Sequence, residues 1–253
     1  TNTGVGHYAL SSNTTAGFNT GIGNAALQTT TVGHSNTAVG SSSLNALTTG
    51  DFNVAVGYNA GLVMTTADRN VAIGPESLDA CTTGQYNVGM GSGALGSLTT
   101  ADDNVAIGIS AGAAVTTGAN NVAMGRNALA ANTTADDNTA VGYSALTANT
   151  TGGNNVAVGK DALLANTTAN DNTAVGLQSL KTNITGAGNT AIGRDALEAN
   201  TDEQNTAVGA FALEANTTGG YNVAIGYEAM IANTGADLNV AVGRRAMYKN
   251  TTA

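Results

Sequence analysis

A motif that recurs every 17 residues constrains this chain more than any other feature of its sequence. The motif starts with asparagine and follows the consensus N-[TV]-A-[VI]-G-x-x-A-L-x-A-x-T-T-[GA]-x-x, and thirteen of its fourteen spacings are 17 residues. Self-similarity at a fixed period is the signature of architectures in which each unit buries its apolar side only by stacking on its neighbours. The chain is therefore predicted to be a single repeat array spanning residues 1–253, with fifteen copies that begin at Asn2, Asn19, Asn36, Asn53, Asn70, Asn87, Asn104, Asn121, Asn138, Asn155, Asn172, Asn189, Asn205, Asn222 and Asn239.

Composition excludes an ordinary globular core and several classes of partner. Charged residues make up 10% of the chain, against about 25% in a typical domain. The net charge of −9 disfavours nucleic acid, which needs a basic footprint. No apolar run approaches the ~18 residues of a membrane span, so no membrane insertion is expected here. The lone cysteine, Cys81, excludes a disulfide framework and a thiolate metal cage, and we expect no cofactor.

The length of the repeat predicts an all-β fold, a parallel β-solenoid or β-roll of fifteen 17-residue repeats. Positions 1–5 of each repeat are predicted to form a short strand, because positions 2 and 4 carry β-branched residues such as Val54 and Val56. The apolar pair at positions 8 and 9 fits either a second strand or one helical turn per coil. Position 15 alternates between glycine and alanine, so 34 residues per turn stays open beside the favoured 17.

Strand alternation separates a face of β-branched residues from a face of small ones. We expect the Ala and Gly face to line a thin interior, as at Ala157 and Gly159. The Val, Ile and Thr face then needs a cover, and the simplest cover is a second copy of the chain. The alternative places the branched face inside and the small face in a tight internal turn.

Charge placement supports this register. All 25 charged residues avoid positions 1–5, 8 and 9, and charges are almost never fully buried unless paired. These seven columns are therefore predicted to be the buried ones. Asparagine at position 1 and threonine at position 13 are predicted to stack as ladders, and Cys81, which shares its column with Leu47, Met64 and Leu98, is predicted to be a buried small hydrophobe.

The stretch Asn138-Thr139-Ala140-Val141-Gly142-Tyr143-Ser144-Ala145-Leu146 resembles the head repeats of trimeric autotransporter adhesins of the YadA type. It is still closer to the N-T-A-[VI]-G-x-x-A-L repeats of trimeric phage tail fibres and related bacterial surface fibres. The resemblance runs through all fifteen copies, and it implies a left-handed parallel β-roll, a homotrimer, an extracellular, cell-surface or virion location, and adhesion or receptor binding. The YadA-type repeat is shorter, and the stalk, anchor and chaperone domain of the family are missing from this segment. Because neither end shows a capping sequence, we expect a segment of a longer protein.

No catalytic residue is expected. Gly108-Ile109-Ser110-Ala111-Gly112 fits the G-x-S-x-G nucleophile elbow, but Gly108 is the repeat glycine of position 5. The two histidines, His7 and His34, lie several repeats away, so no triad forms near Ser110.

Two sets of exposed residues are candidates for binding. Acidic residues near the end of the repeat are candidate Ca²⁺ ligands between loops, although a solvated, negatively charged edge is the favoured explanation for them: Asp68, Asp102, Asp103, Asp136 and Asp137. Aromatic residues in the variable columns are candidates for contact with a glycan or a protein: Tyr58, Tyr143, Tyr227, Phe52, Tyr86 and Tyr221. Seven N-x-[ST] sequons also arise from the repeat, and they matter only in a host that glycosylates them.

Three functions follow from these expectations. The favoured one is a non-enzymatic fibre module, a structural rod that binds a cell-surface glycan or protein receptor and assembles with itself. The alternatives are an ice-binding solenoid that uses threonine ladders and a glycan-cleaving tailspike.

Overall fold

The computed structural model describes residues 1–251 and divides the chain into two compact units, Thr1–Arg126 and Asn127–Ala253. Within the described residues each unit consists of three-residue strands joined by turns, with no helix. The fold is therefore all-β, as the repeat predicts.

Each strand occupies positions 2–4 of a repeat and, within its unit, pairs in parallel with the strands of the adjacent repeats. The first unit contains β1 Thr3–Val5, β2 Thr20–Ile22, β3 Thr37–Val39, β4 Val54–Val56, β5 Val71–Ile73, β6 Val88–Met90, β7 Val105–Ile107 and β8 Val122–Met124. The second unit contains β9 Thr139–Val141, β10 Val156–Val158, β11 Thr173–Val175, β12 Thr190–Ile192, β13 Thr206–Val208, β14 Val223–Ile225 and β15 Val240–Val242.

One repeat makes one coil of the solenoid. The pairing joins equivalent residues of consecutive repeats, such as Val54 with Val71, so the predicted 17 residues per coil is confirmed and 34 is wrong. The glycine–alanine alternation at position 15 has a local cause. A Cβ on Gly50 would lie 2.2 Å from the carbonyl oxygen of Ala67, and one on Gly84 would lie 2.4 Å from that of Ala101. Alternate coils therefore approach too closely there for a side chain.

The alanines of the small face line the interior, as predicted, whereas the position-5 glycines, including Gly159, remain partly exposed. Alanines at position 3, such as Ala55 and Ala157, are fully buried, and the position-1 asparagines from Asn19 to Asn222 are buried as well. Asn36 shows the ladder: its backbone N–H and its Nδ2 both donate to Oδ1 of Asn19, at 2.8 and 3.2 Å, and Nδ2 also donates to the carbonyl of Gly50 at 2.8 Å. Each buried amide thus has partners in its own coil and in its neighbour, which offsets its desolvation.

Positions 6–11 form consecutive turns, and the helical turn considered from the sequence is absent from the described residues. Position 9 adopts a left-handed backbone with φ near +50°, as in Leu129 and Leu146. A β-branched residue would be strained there, and the column contains only leucine, methionine and glycine. Gly61 and Gly112 replace leucine at this position with φ of 61° and 57°.

Position 12 is buried, but its chemistry differs between the two units. In the first unit it is apolar from Leu47 to Val115 and includes Cys81, whose thiol pKa is raised to about 11 by burial. The prediction for Cys81 is confirmed. In the second unit the column is asparagine and forms a further ladder, in which Nδ2 of Asn166 donates to Oδ1 of Asn149 at 2.9 Å. The single 16-residue repeat interrupts this ladder, so Oδ1 of Asn183 is left without a partner.

Glycine at position 5 allows a close contact between adjacent coils. Gly40 has φ of 136°, and a Cβ there would lie 2.5 Å from the carbonyl oxygen of Gly57. Residues with a Cβ rarely adopt this backbone conformation and would not fit in this space. Glycine therefore occupies the column in all fifteen repeats.

We expect Gly40→Ala to destabilise the first unit by at least about 2 kcal/mol, because the added methyl forces adjacent coils apart. The matched control is Gly17→Ala, where φ is ordinary and the nearest atom to the new Cβ lies 3.6 Å away. Denaturant unfolding and amide hydrogen exchange of the neighbouring coils measure the difference. Equal stability of the two variants would contradict this reading of position 5.

Candidate functional site

The outer face of the strands is open to solvent in both units. Side chains at positions 2 and 4 point away from the alanine-lined interior, and many at position 4 are exposed, including Ile107, Ile192 and Ile225. The prediction that all charge-free columns are buried is therefore wrong within one chain: positions 1, 3, 8 and 9 are buried in most repeats, while positions 2 and 4 and the glycines of position 5 are not. No charged residue occupies positions 2 or 4 in any repeat.

The six aromatic candidates lie on the surface in two columns. Position 6 carries Tyr58, Tyr143 and Tyr227, and position 17 carries the other three, all of them exposed: Phe52, Tyr86 and Tyr221. The structure brings two of the six together, because Phe52 and Tyr86 lie in the coils before and after Arg69. It keeps Tyr58 and Tyr143 apart in separate units.

Arg69 joins Phe52 and Tyr86 into one cluster. Its Cζ lies over both rings, 5.5 Å from each centroid, within the range of a cation–π contact. No carboxylate among residues 1–251 forms an ion pair with Arg69. Sequence reasoning missed Arg69, although its position in column 17 between two aromatic residues was a usable signal once one repeat was known to make one coil.

A second group of cations and aromatic rings lies in the second unit. Cζ of Arg194 is 4.3 Å from the centroid of Phe211, which meets Tyr227 edge-on at 5.9 Å. Arg244 lies over the other partner, Tyr227, at 5.9 Å. Arg194 also pairs with Asp195, Nε to Oδ2, at 3.2 Å, so this cation is already partly neutralised. Phe211, Arg194 and Arg244 were likewise missed from the sequence.

Several of the acidic candidates hold adjacent coils together. Oδ1 of Asp68 accepts the backbone N–H of Asp51, and Oδ1 of Asp102 accepts that of Gln85, each at 2.7 Å. Position 16 thus contributes one side-chain hydrogen bond per coil at these sites. Asp103 is exposed on the next position.

A polar cleft of about 340 Å³ lies beside the acidic residues of the second unit. Asp136 and Asp137 line it with Asn154, Asn170 and Asp171, and Gly153 lies beside them. No group of three or more His, Cys, Asp or Glu side chains in residues 1–251 is arranged to hold a metal ion. A Ca²⁺ role for these residues stays a prediction.

Threonine occupies two adjacent columns with different environments. At position 13 the hydroxyl donates to the backbone of the next coil, as from Thr82 to Thr99 O at 3.1 Å, which confirms the predicted ladder. At position 14 the side chains are exposed and form an unbroken series in each unit: Thr49, Thr66, Thr83, Thr100 and Thr117 in the first, and Thr134, Thr151, Thr168 and Thr185 in the second.

The G-x-S-x-G match has a backbone explanation. Ser110 and Gly112 occupy positions 7 and 9, with φ of 55° and 57°, and Gly108 is the glycine of position 5.

The fold buries asparagines of the N-x-[ST] sequons. Asn132, Asn149 and Asn166 are fully buried, and their side-chain nitrogens donate to Ala135 O, Gly152 O and Ala169 O, so they are closed to a glycosyltransferase in the folded chain.

Three comparisons with known proteins give no relative on which to base a function. The chain matches no protein-family model, no curated protein and no solved structure at a significant level. Within residues 1–251 no helix has the length and hydrophobicity to cross a membrane.

Charged residues at positions 7 and 10 of the second unit lie close enough to interact electrostatically. Lys181 pairs with Glu198, Nζ to Oε1, at 3.3 Å, and Glu214 follows Glu198 in the next coil. Partial burial raises the pKa of Glu214 above its ordinary value, and the charges of Asp195 and Glu198 raise it further.

We expect Glu214→Gln to stabilise the second unit at pH 7 by less than about 1 kcal/mol, because solvent still screens this partly exposed group. A carboxyl whose folded pKa is raised costs stability when charged, and that cost disappears as pH falls through the folded pKa. The advantage of the variant should therefore vanish near pH 4, at about the ordinary pKa of glutamate.

Thermal melts at the two pH values measure this difference. Glu198→Gln is the control, because it removes the partner of Lys181 and should bring no gain. A stability advantage of Glu214→Gln that grows as the pH falls would contradict a raised pKa for Glu214.

Proposed function

We propose that this array is a non-enzymatic structural and adhesive module, in which copies of the chain associate through their strand faces and present the outer columns to a receptor. The face is defined by positions 2 and 4 of each repeat. The location proposed is extracellular, on a bacterial surface or a virion fibre, in line with the resemblance to YadA-type heads and phage tail fibres.

The strand face carries the proposal. It avoids charge in all fifteen repeats although many of its valines and isoleucines are exposed in the single chain. Soluble monomers rarely expose contiguous apolar patches larger than a few hundred Å², and this face continues through eight strands in one unit and seven in the other. Exclusion of charge from an open surface is expected where another surface covers it.

A further copy of the same chain is the partner that fits this face best. An identical array repeats with the same period, so its valine and isoleucine side chains meet equivalent positions in every coil. A smaller partner would cover only part of the face and leave the remaining coils open. We propose a homotrimer, which is the assembly that the family resemblance implies.

Adhesion would use the columns outside the strand face. Positions 6 and 17 vary among repeats and hold exposed tyrosine, phenylalanine and arginine, residue types that are enriched in binding hot spots. A rod with several copies of such a column gains avidity, since each further contact is intramolecular. The receptor proposed is a cell-surface glycan or protein.

We expect Ile192→Glu to break the assembly and Leu177→Glu to leave it intact. The two side chains are equally exposed, at 41% each, but Ile192 lies on the strand face and Leu177 at position 6 between Lys160 and Arg194. Burying an unpaired carboxylate between copies costs several kcal/mol, whereas a carboxylate at position 6 stays in water.

Sedimentation equilibrium in native buffer gives the result. The unmodified chain and Leu177→Glu should sediment at three times the 24.8-kDa chain mass, and Ile192→Glu at that mass itself. Receptor-bearing cells should also retain less labelled Ile192→Glu protein than labelled unmodified chain. An unmodified chain that is monomeric and stable would contradict the proposal.

Ice binding is the second candidate, and the exposed threonine series at position 14 favours it. The spacing of about 4.8 Å between coils makes that series regular within each unit. Only one threonine per coil is exposed in this way, because the position-13 hydroxyl bonds to the backbone, so the surface is one residue wide. Clear thermal hysteresis of the purified chain, lost in Thr83→Lys, would favour this function over adhesion.

A further inference from the structure

Three exposed aromatic side chains in the first unit lie in one column, two coils apart from each other. Phe18, Phe52 and Tyr86 all occupy position 17, and their exposed fractions are 73%, 53% and 49%. Two coils of a parallel stack span about 10 Å. The rings are therefore set at a regular interval along one column, which we call the aromatic row.

The backbone holds the row in place. Phe18, Phe52 and Tyr86 have left-handed φ values of 61°, 59° and 57°. The backbone N–H of Phe52 donates to His34 O at 3.1 Å, and that of Tyr86 donates to Asp68 O at 3.2 Å. Because these positions repeat the same conformation and the same bond to the preceding coil, their Cα–Cβ bonds leave the coil in equivalent directions.

Arg69 stands between two of the rings and supplies hydrogen-bond donors. Its guanidinium carries five N–H donors, and none of them forms a hydrogen bond or ion pair within residues 1–251. Acceptors lie in the neighbouring column at position 16. Asp68 and Asp102 each use Oδ1 on a backbone N–H, which leaves their Oδ2 atoms for a ligand.

We propose that the aromatic row, with Arg69, Asp68 and Asp102, binds an extended uncharged polysaccharide. Aromatic rings bury the apolar faces of sugar rings, and guanidinium and carboxylate groups bond to hydroxyl pairs between them. The interval of about 10 Å between rings is roughly the length of a disaccharide unit in an extended chain, so alternate sugars meet successive rings. This proposal rests on the adhesive function above and names the ligand class of one of its surfaces.

Negative charge around the aromatic row favours an uncharged polysaccharide over an anionic one. Arg69 is the only Lys or Arg among the first 125 residues, and the chain carries a net charge of −9. Asp51, Asp68 and Asp102 surround the row with negative charge. A polyanion would be repelled by these carboxylates over a distance of about a Debye length, whereas a neutral sugar meets no such penalty.

The test is affinity gel electrophoresis of the full chain in gels that contain a soluble β-1,4-glucan, a galactomannan or, as the acidic polymer, alginate. We expect retardation by at least one neutral polymer, insensitive to salt. Phe52→Leu/Tyr86→Leu should weaken it at least tenfold while keeping apolar bulk, and Arg69→Gln should weaken it less. Tyr8→Leu, which changes a similarly exposed ring at position 7, should leave it unchanged.

Several results would overturn the proposal. These are no retardation by either neutral polymer, retardation by alginate alone with strong salt dependence, or equal retardation of the double variant and the unmodified chain. A change of sedimenting mass in the double variant with no change in retardation would make the row a contact between copies instead. If the chain assembles and adheres to cells but ignores both neutral polymers, this inference fails and the proposed function stands.

Discussion

The contact between successive glycines at position 5 sets the spacing on which every other column depends. With φ between 121° and 143° in the column and the next coil where a Cβ would be, the backbone at this point allows no side chain. Adjacent coils therefore run at hydrogen-bonding distance with the same backbone path, and each side chain has its own equivalent as neighbour. Fifteen of the 34 glycines serve this one purpose.

Like-on-like stacking explains which residues fill the interior. An amide both donates and accepts, so asparagine can bond to asparagine along the whole column, as from Nδ2 of Asn53 to Oδ1 of Asn36. A buried charge stacked on its copy would be repelled, and charges are confined to outer positions. This regularity is interrupted at one place: the 16-residue repeat shifts Asn200 and leaves Oδ1 of Asn183 unpaired.

The period and the alternation of small and branched residues were enough to predict the coil, its strand and its small-residue interior. The turns were not predictable in the same way, because a left-handed φ at Leu129 leaves no mark in one leucine and shows only as the absence of β-branched residues down a column. The aromatic candidates were visible as single residues. Their grouping around Arg69 was not, since neighbours across coils are known only once 17 residues are known to make one turn.

The central proposal is that strand faces of different copies meet, and spin labels measure this directly. Cys81→Ser removes the buried native thiol, after which one label is placed at Val158→Cys on the strand face or at Thr151→Cys on the exposed threonine column. Each chain then carries a single label, so dipolar coupling arises only between copies. The proposal predicts strong, short-range coupling at position 158 and weaker, longer-range coupling at position 151. Absence of coupling at 158, or shorter distances at 151, would contradict it.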